Sequence, residues 1–228
     1  MGQKGGPDIP LESNVFMIDS KNPRSSIGSL ISLISNALST VTGTTLAGTG
    51  FSVSYTFSAS NNKIDFSDIA ALKLTSALTI SSWIYPITFG GDSSGRIYDK
   101  WQSTFPQTGY SFFIDNNTGT NAIAFGTGWV ISTSVARVNN VITLNTWQHV
   151  AVTFSGSACT FYKNGYSVGT VTGITAPVSG TVNAIVGNNT GNVNNFDGKI
   201  DGLLIYSRSL SSSEISKIYT SKKSRYGL

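Results

Sequence analysis

Residues 147–165, WQHVAVTFSGSACTFYKNG, constrain the fold of this 228-residue chain more than any other segment. Along 148–154, strict alternation puts Gln148, Val150, Val152 and Phe154 on one face. Trp147, His149, Ala151 and Thr153 fall on the other, the period of a β-strand. Ser155-Gly156-Ser157 predicts the turn into a second strand through Cys159 and Phe161. Asn164-Gly165 predicts the next turn, because a two-residue type I′ loop needs positive φ at both central positions. Strand and turn signals this dense point to antiparallel β structure.

The same pattern recurs along the chain. Strands are expected at 15–18, 52–57, 78–85, 96–100, 109–114, 122–125, 129–138, 167–172, 182–186 and 199–206. Asn116-Asn117, Asn139-Asn140 and Asn188-Asn189 punctuate them, and the spacing predicts an all-β antiparallel sandwich. Ile27, Leu30, Ile31, Ile34, Leu38 and Val41 have helical spacing, but their Ser and Asn spacers leave helix and packed loop equally open. One short C-terminal helix is well signalled. Ser211 and Glu214 form a capping box, Leu210 can staple onto Ile215, and Ile215, Ile218 and Tyr219 make an apolar stripe. Residues 1–13, with Gly5, Gly6, Pro7 and Pro10, read as an extended arm. Residues 14–220 read as one domain, and 221–228 as a basic tail.

Composition narrows the function. Charged residues are 11% of the chain, well below the roughly 25% typical of soluble domains. Ser, Thr, Asn and Gly must therefore cover the surface, as in many extracellular modules and virion proteins. The net charge of +4 comes from scarce acids rather than abundant bases. Its one cluster, Lys217, Lys222, Lys223 and Arg225, is no nucleic-acid footprint and suits docking to an acidic neighbouring subunit. Cys159 is the sole cysteine, which excludes an internal disulfide and reads as a small buried residue. The first residues lack the apolar core of a secretory signal, and Ser, Thr and Gly interrupt every apolar run in the uncharged stretch 25–62. No membrane contact is expected, and synthesis in a cytoplasm is.

The hairpin residues carry a resemblance. Trp147-x-His149-Val150-Ala151 followed by Tyr162-Lys163-Asn164-Gly165 resembles the laminin-G-like family of concanavalin A-type jelly rolls. Leu78-Thr79-Ile80-Ser81-Ser82-Trp83-Ile84-Tyr85-Pro86, Arg96-Ile97-Tyr98-Asp99-Lys100 and Phe196-Asp197-Gly198-Lys199-Ile200-Asp201-Gly202-Leu203 are similar to strands of that family. Tyr206-Ser207-Arg208-Ser209-Leu210-Ser211 with Glu214-Ile215 resembles the helix after them. Ile18-Asp19-Ser20-Lys21-Asn22-Pro23-Arg24-Ser25 resembles an element ahead of such jelly rolls in tailed-phage particle proteins. Its usual Trp-x-Asp-Leu-Ser-Gly continuation is replaced by a Ser-rich segment.

Catalysis is not expected. A glycosidase needs two carboxylates flanking the sugar, and Asp197 and Asp201 lie about 13 Å apart along a strand. His149, the one histidine, has no Gly-x-Ser-x-Gly nucleophile to serve and reads as hydrogen-bonded structure. Relatives in the family bind Ca²⁺ through loops, but Asp65, Asp68, Asp92, Asp99, Asp115 and Asp197 form no Asp-x-Asp cluster. No metal ligand or cofactor is assigned, with Ca²⁺ the one ion left open. Trp101, Phe105, Tyr110 and Trp129 are the candidate surface for a glycan or partner. The leading expectation is a non-enzymatic virion protein, a capsid decoration or tail or fibre accessory, docked through its terminal segments to particle subunits or a second copy of itself. The alternative is a carbohydrate-binding lectin module reading cell-surface glycans.

Overall fold

The computed structural model describes residues 9–22, 32–48, 53–102, 104–127 and 134–228. Trp129, the first eight residues of the arm and Pro23 with Arg24 lie outside them. Among the described residues fifteen strands run in chain order. They are β1 (Asn14–Met17), β2 (Thr40–Thr42), β3 (Thr45–Ala47), β4 (Ser54–Phe57), β5 (Lys63–Asp65), β6 (Ala77–Pro86), β7 (Arg96–Gln102) and β8 (Thr108–Asp115), then β9 (Ala122–Gly126), β10 (Val135–Val138), β11 (Gln148–Ser155), β12 (Ala158–Lys163), β13 (Tyr166–Val171), β14 (Ile185–Val186) and β15 (Gly198–Tyr206). One α-helix, α1 (Ser212–Lys222), follows β15.

The strands form two antiparallel sheets. The eight-stranded sheet runs β13-β12-β11-β6-β15-β4-β3, with β1 also paired to β15. The seven-stranded sheet runs β10-β9-β8-β7-β14-β5-β2. Val150, Val152 and Phe154 enter the core between the sheets, as alternation predicts, beside Ile80, Ile84, Phe112, Phe125 and Cys159. Asn164 (φ 49) and Gly165 (φ 82) make the positive-φ turn from β12 to β13.

A second apolar core covers the outer face of the eight-stranded sheet. Ala151, Tyr162, Leu204 and Tyr206 pack there against Leu210, Ile215 and Ile218 at the end of the chain. The capping box forms as predicted: Ser211 accepts from the Glu214 backbone N–H while the Glu214 carboxylate accepts from that of Ser211. Trp83 belongs to this outer layer rather than to the sandwich interior. Its ring stacks on Tyr226 at 4.1 Å and on Tyr219 at 5.7 Å.

Of the two readings left open for residues 27–41, the described residues 32–39 take the loop, which leads into β2 without a helix. Two expectations change. Ile9 and Met17 pack against the second core, so residues 9–13 are not a detached arm. Residues 221–228 are not a tail either, since Lys222 ends α1 and Lys223–Tyr226 continue as a 3-10 turn with Tyr226 buried. Among the described residues no helix is long and apolar enough to cross a membrane.

Candidate functional site

A bulge in β7 builds the site. Its register against β8 slips between Arg96 and Tyr98, so Ile97 and Tyr98 both turn into the inter-sheet core. Arg96 is left on the outer face, its guanidinium over the Phe113 ring at 4.3 Å. Alternation then carries Asp99 and Trp101 outward as well.

The half-buried Trp101 is shared by two hollows. The first, of about 250 Å³, is lined by Asp92, Ser94, Arg96, Trp101, Asn117 and Asn194. The second, of about 230 Å³, is lined by Trp101, Asn189, Thr190, Gly191, Val193 and Asn194. Trp101 and Asn194 therefore serve both.

The walls are stitched together by the backbone. Gly91 N–H donates to the Asn195 carbonyl at 3.0 Å, and Arg96 N–H to that of Asn194 at 3.0 Å. A Cβ on Gly91 would sit 2.2 Å from the Val193 carbonyl oxygen, so only glycine lets these two loops close up. Asn189 Nδ2 donates to Asn194 Oδ1 at 2.8 Å, and its own Oδ1 accepts from Val193 N–H at 3.1 Å. Asn117 Nδ2 donates to Asp115 Oδ1 at 3.0 Å. The amides are thus oriented before any ligand arrives.

Charge is distributed unevenly. Arg96 is 2% exposed; its Nη1 donates to Ser94 Oγ at 2.9 Å and its Nε pairs with Asp99 at 3.3 Å. Burial pushes the Asp99 carboxyl up to about 7 against the pull of Arg96, and burial likewise lowers the guanidinium. Asp92 lies exposed at the mouth of the first hollow. An aromatic face flanked by fixed amides can stack against the C–H face of a sugar and pair with its hydroxyls.

Residues 58–216 match a laminin G-type family described as the concanavalin A-like lectin/glucanases superfamily. The chain belongs to this superfamily. No curated protein matches the sequence. Among solved structures, the binding domain of Paraclostridial Mosquitocidal Protein 1 superposes with a TM-score of 0.69 at 17% identity, over 92% of this chain and 52% of that one. Domain 4 of a GH43 extracellular arabinanase from Geobacillus stearothermophilus, in complex with arabinotriose, gives 0.67 at 17% identity over 91% and 98%. The ligand binding domain of botulinum neurotoxin serotype D, in complex with N-acetylneuraminic acid, gives 0.67 at 16% over 91% and 50%. The chain thus spans about half the length of the toxin chains and nearly all of the arabinanase domain. At these identities the likeness establishes the superfamily fold.

On this superfamily scaffold, the candidate contact residues scatter. Trp101 lines both hollows. Phe105 is 86% exposed in the turn between β7 and β8 but lines neither. Tyr110 is not a contact residue: it is 1% exposed in the inter-sheet core, with its hydroxyl on the Leu72 carbonyl at 2.9 Å. Trp129 lies outside the described residues. The sequence reading missed Asp92, Asn117, Asn189 and Asn194 as lining residues, having taken the Asn pairs as turn punctuation.

The basic residues divide as well. Lys217 and Lys223 are exposed, Lys223 with its ammonium 5.8 Å from the Tyr219 ring. Lys222 and Arg225 are corrected, because both are spent on internal ion pairs. Lys222 meets Asp19 Oδ2 at 2.8 Å, and Arg225 meets Asp19 Oδ1 at 2.7 Å and Asp201 Oδ2 at 2.5 Å. Tyr226 donates to Asp201 Oδ2 at 2.7 Å, and Ser20 N–H to Asp201 Oδ1 at 3.0 Å. Burial raises the Asp201 carboxyl, with Arg225 opposing. Burial also works to raise Asp19, but Lys222 and Arg225 hold it well below the usual carboxylate range.

His149 is fully buried with Nε2 2.8 Å from Ser81 Oγ, and burial, then Lys222, lowers its pKa to about 3. Burial pushes the Cys159 thiol up to about 12. Among the described residues no three His, Cys, Asp or Glu side chains group as a metal site. Asp197 accepts from Thr88 Oγ1 at the sheet rim while Asp201 lies under the end of the chain, so neither is positioned for joint acid–base work.

Proposed function

We propose that this chain is a carbohydrate-binding, lectin-like module whose site is the pair of hollows astride Trp101. One observation carries the reading: an indole shared by two amide-lined hollows, set on a sheet and on loops already hydrogen-bonded to each other. Two superposing structures hold arabinotriose and N-acetylneuraminic acid, which supports a sugar as ligand. Binding without hydrolysis fits the lining, where among the described residues Asp92 is the single carboxylate and a glycosidase needs two flanking the scissile bond.

The expectation of a particle protein gains no separate support. Asp19, in the element resembling phage proteins, has a folding role through Lys222 and Arg225. A glycan array followed by calorimetric titration tests the carbohydrate reading. Trp101→Ala should weaken binding about ten-fold or more while leaving the fold intact. A blank array, or an unaffected Trp101→Ala variant, would refute it.

A further inference from the structure

The two hollows differ from a single deep pocket in a way that specifies the ligand. Each, at about 250 and 230 Å³, lies below the roughly 300–1,000 Å³ of a drug-sized site and suits one sugar unit. Trp101 and Asn194 are shared, so units in the two hollows would be neighbours on one chain, both meeting Trp101. Exposed residues contribute to both linings, Asn117 to the first and Thr190 and Gly191 to the second.

Charge narrows the class. Among the described lining residues Arg96 is the one cation, and Ser94, Asp99 and the Phe113 ring already engage it at 2% exposure. Asp92 lines the first hollow as an exposed carboxylate, whereas the ammonium of Lys63 lies on Asn192 Oδ1 at 3.0 Å, between the lining residues Gly191 and Val193 of the second. A sialic or uronic acid in the first hollow would bring a second carboxylate beside Asp92, and like charges so placed repel.

We infer that the site takes a linear oligosaccharide with neighbouring units in the two hollows that share Trp101, and that the first hollow rejects an acidic unit. This rests on the carbohydrate-binding reading and names its ligand class. The test is titration of the full chain against neutral linear mono- to tetrasaccharides, arabinotriose among them, and against sialylated or uronic counterparts of each. Neutral di- or trisaccharides should bind about ten-fold tighter than their monosaccharide, and acidic counterparts at least about ten-fold weaker. Asp92→Lys should narrow or reverse the ratio of neutral to acidic affinity, which is the quantity these paired titrations read. Preference for sialylated ligands, or a monosaccharide as tight as its trimer, would overturn this inference and leave the carbohydrate reading standing. Absence of binding to every sugar would overturn both.

Discussion

Replacing Arg225 with Met isolates what holds the end of the chain to the sandwich. Arg225 is half-buried, and its Nη2 lies on Asp201 Oδ2 at 2.5 Å, Ser20 Oγ at 2.7 Å and the Val53 carbonyl at 3.0 Å, with Nη1 on Asp19 at 2.7 Å. Met keeps most of the apolar stem and removes the charge. Asp201 is 0% exposed, so its carboxylate would stay buried with only Ser20 N–H and the Tyr226 hydroxyl as donors. Removing one partner of a buried pair costs about 3–5 kcal/mol, which in a domain this size lowers the melting temperature by roughly 10 °C. Urea unfolding at pH 7 measures the loss. Asp201 has its folded pKa raised, so its burial penalty grows with pH above the unfolded value and shrinks as the folded carboxyl takes up a proton. The deficit of Arg225→Met should therefore narrow between pH 7 and pH 5. The double variant with Asp201→Asn should recover more than half of it, an interaction energy of about 2 kcal/mol. A single variant within about 0.5 kcal/mol of the parent at pH 7 would refute the reasoning and return Arg225 to the role of a free docking charge.

Three further outcomes are expected. Trp83→Ala should cost about 3–5 kcal/mol by emptying the stack between Tyr226 and Tyr219, read by chemical denaturation. His149 folds neutral with its pKa depressed to about 3, so below pH 6.5 only the unfolded chain gains its proton, and stability falls as pH drops. By pH 4.5 this removes about 3 kcal/mol, and His149→Gln should flatten that part of the pH profile. Tyr110→Phe should cost about 1–2 kcal/mol through the orphaned Leu72 carbonyl while leaving sugar affinity unchanged, which a paired denaturation and titration would check.

Local signals were legible and long-range ones were not. The β11–β12 and β12–β13 turns, the buried Cys159 and the capping box all depend on residues within a few positions of one another. Three-residue strands such as β2, β3 and β5 hold too few side chains to display a period. Tyr110 could have been placed, since it alternates with Phe112 and Ile114 on one face, but it was read beside Trp101 by sequence proximity. The partners of Lys222 and Arg225 at Asp19 lie 203 and 206 residues away, beyond any pattern in the sequence. Of the site, only Trp101 was visible. The asparagines around it come from two separate loops that the fold brings together, β8–β9 and β14–β15, and the bulge that turns Arg96 outward leaves no mark in composition.

The second core also fixes a direction. Ile9, Met17, α1 and Tyr226 pack on the outer face of the eight-stranded sheet, whereas Trp101 looks out from the seven-stranded one. The thickness of the sandwich separates them, so the molecule has a back and a front. A scaffold gripping the back would hold the indole outward at a fixed attitude, without a flexible linker to set it. Copies arrayed side by side on such a scaffold would offer their sites to one surface in parallel, where weak single contacts multiply into firm attachment.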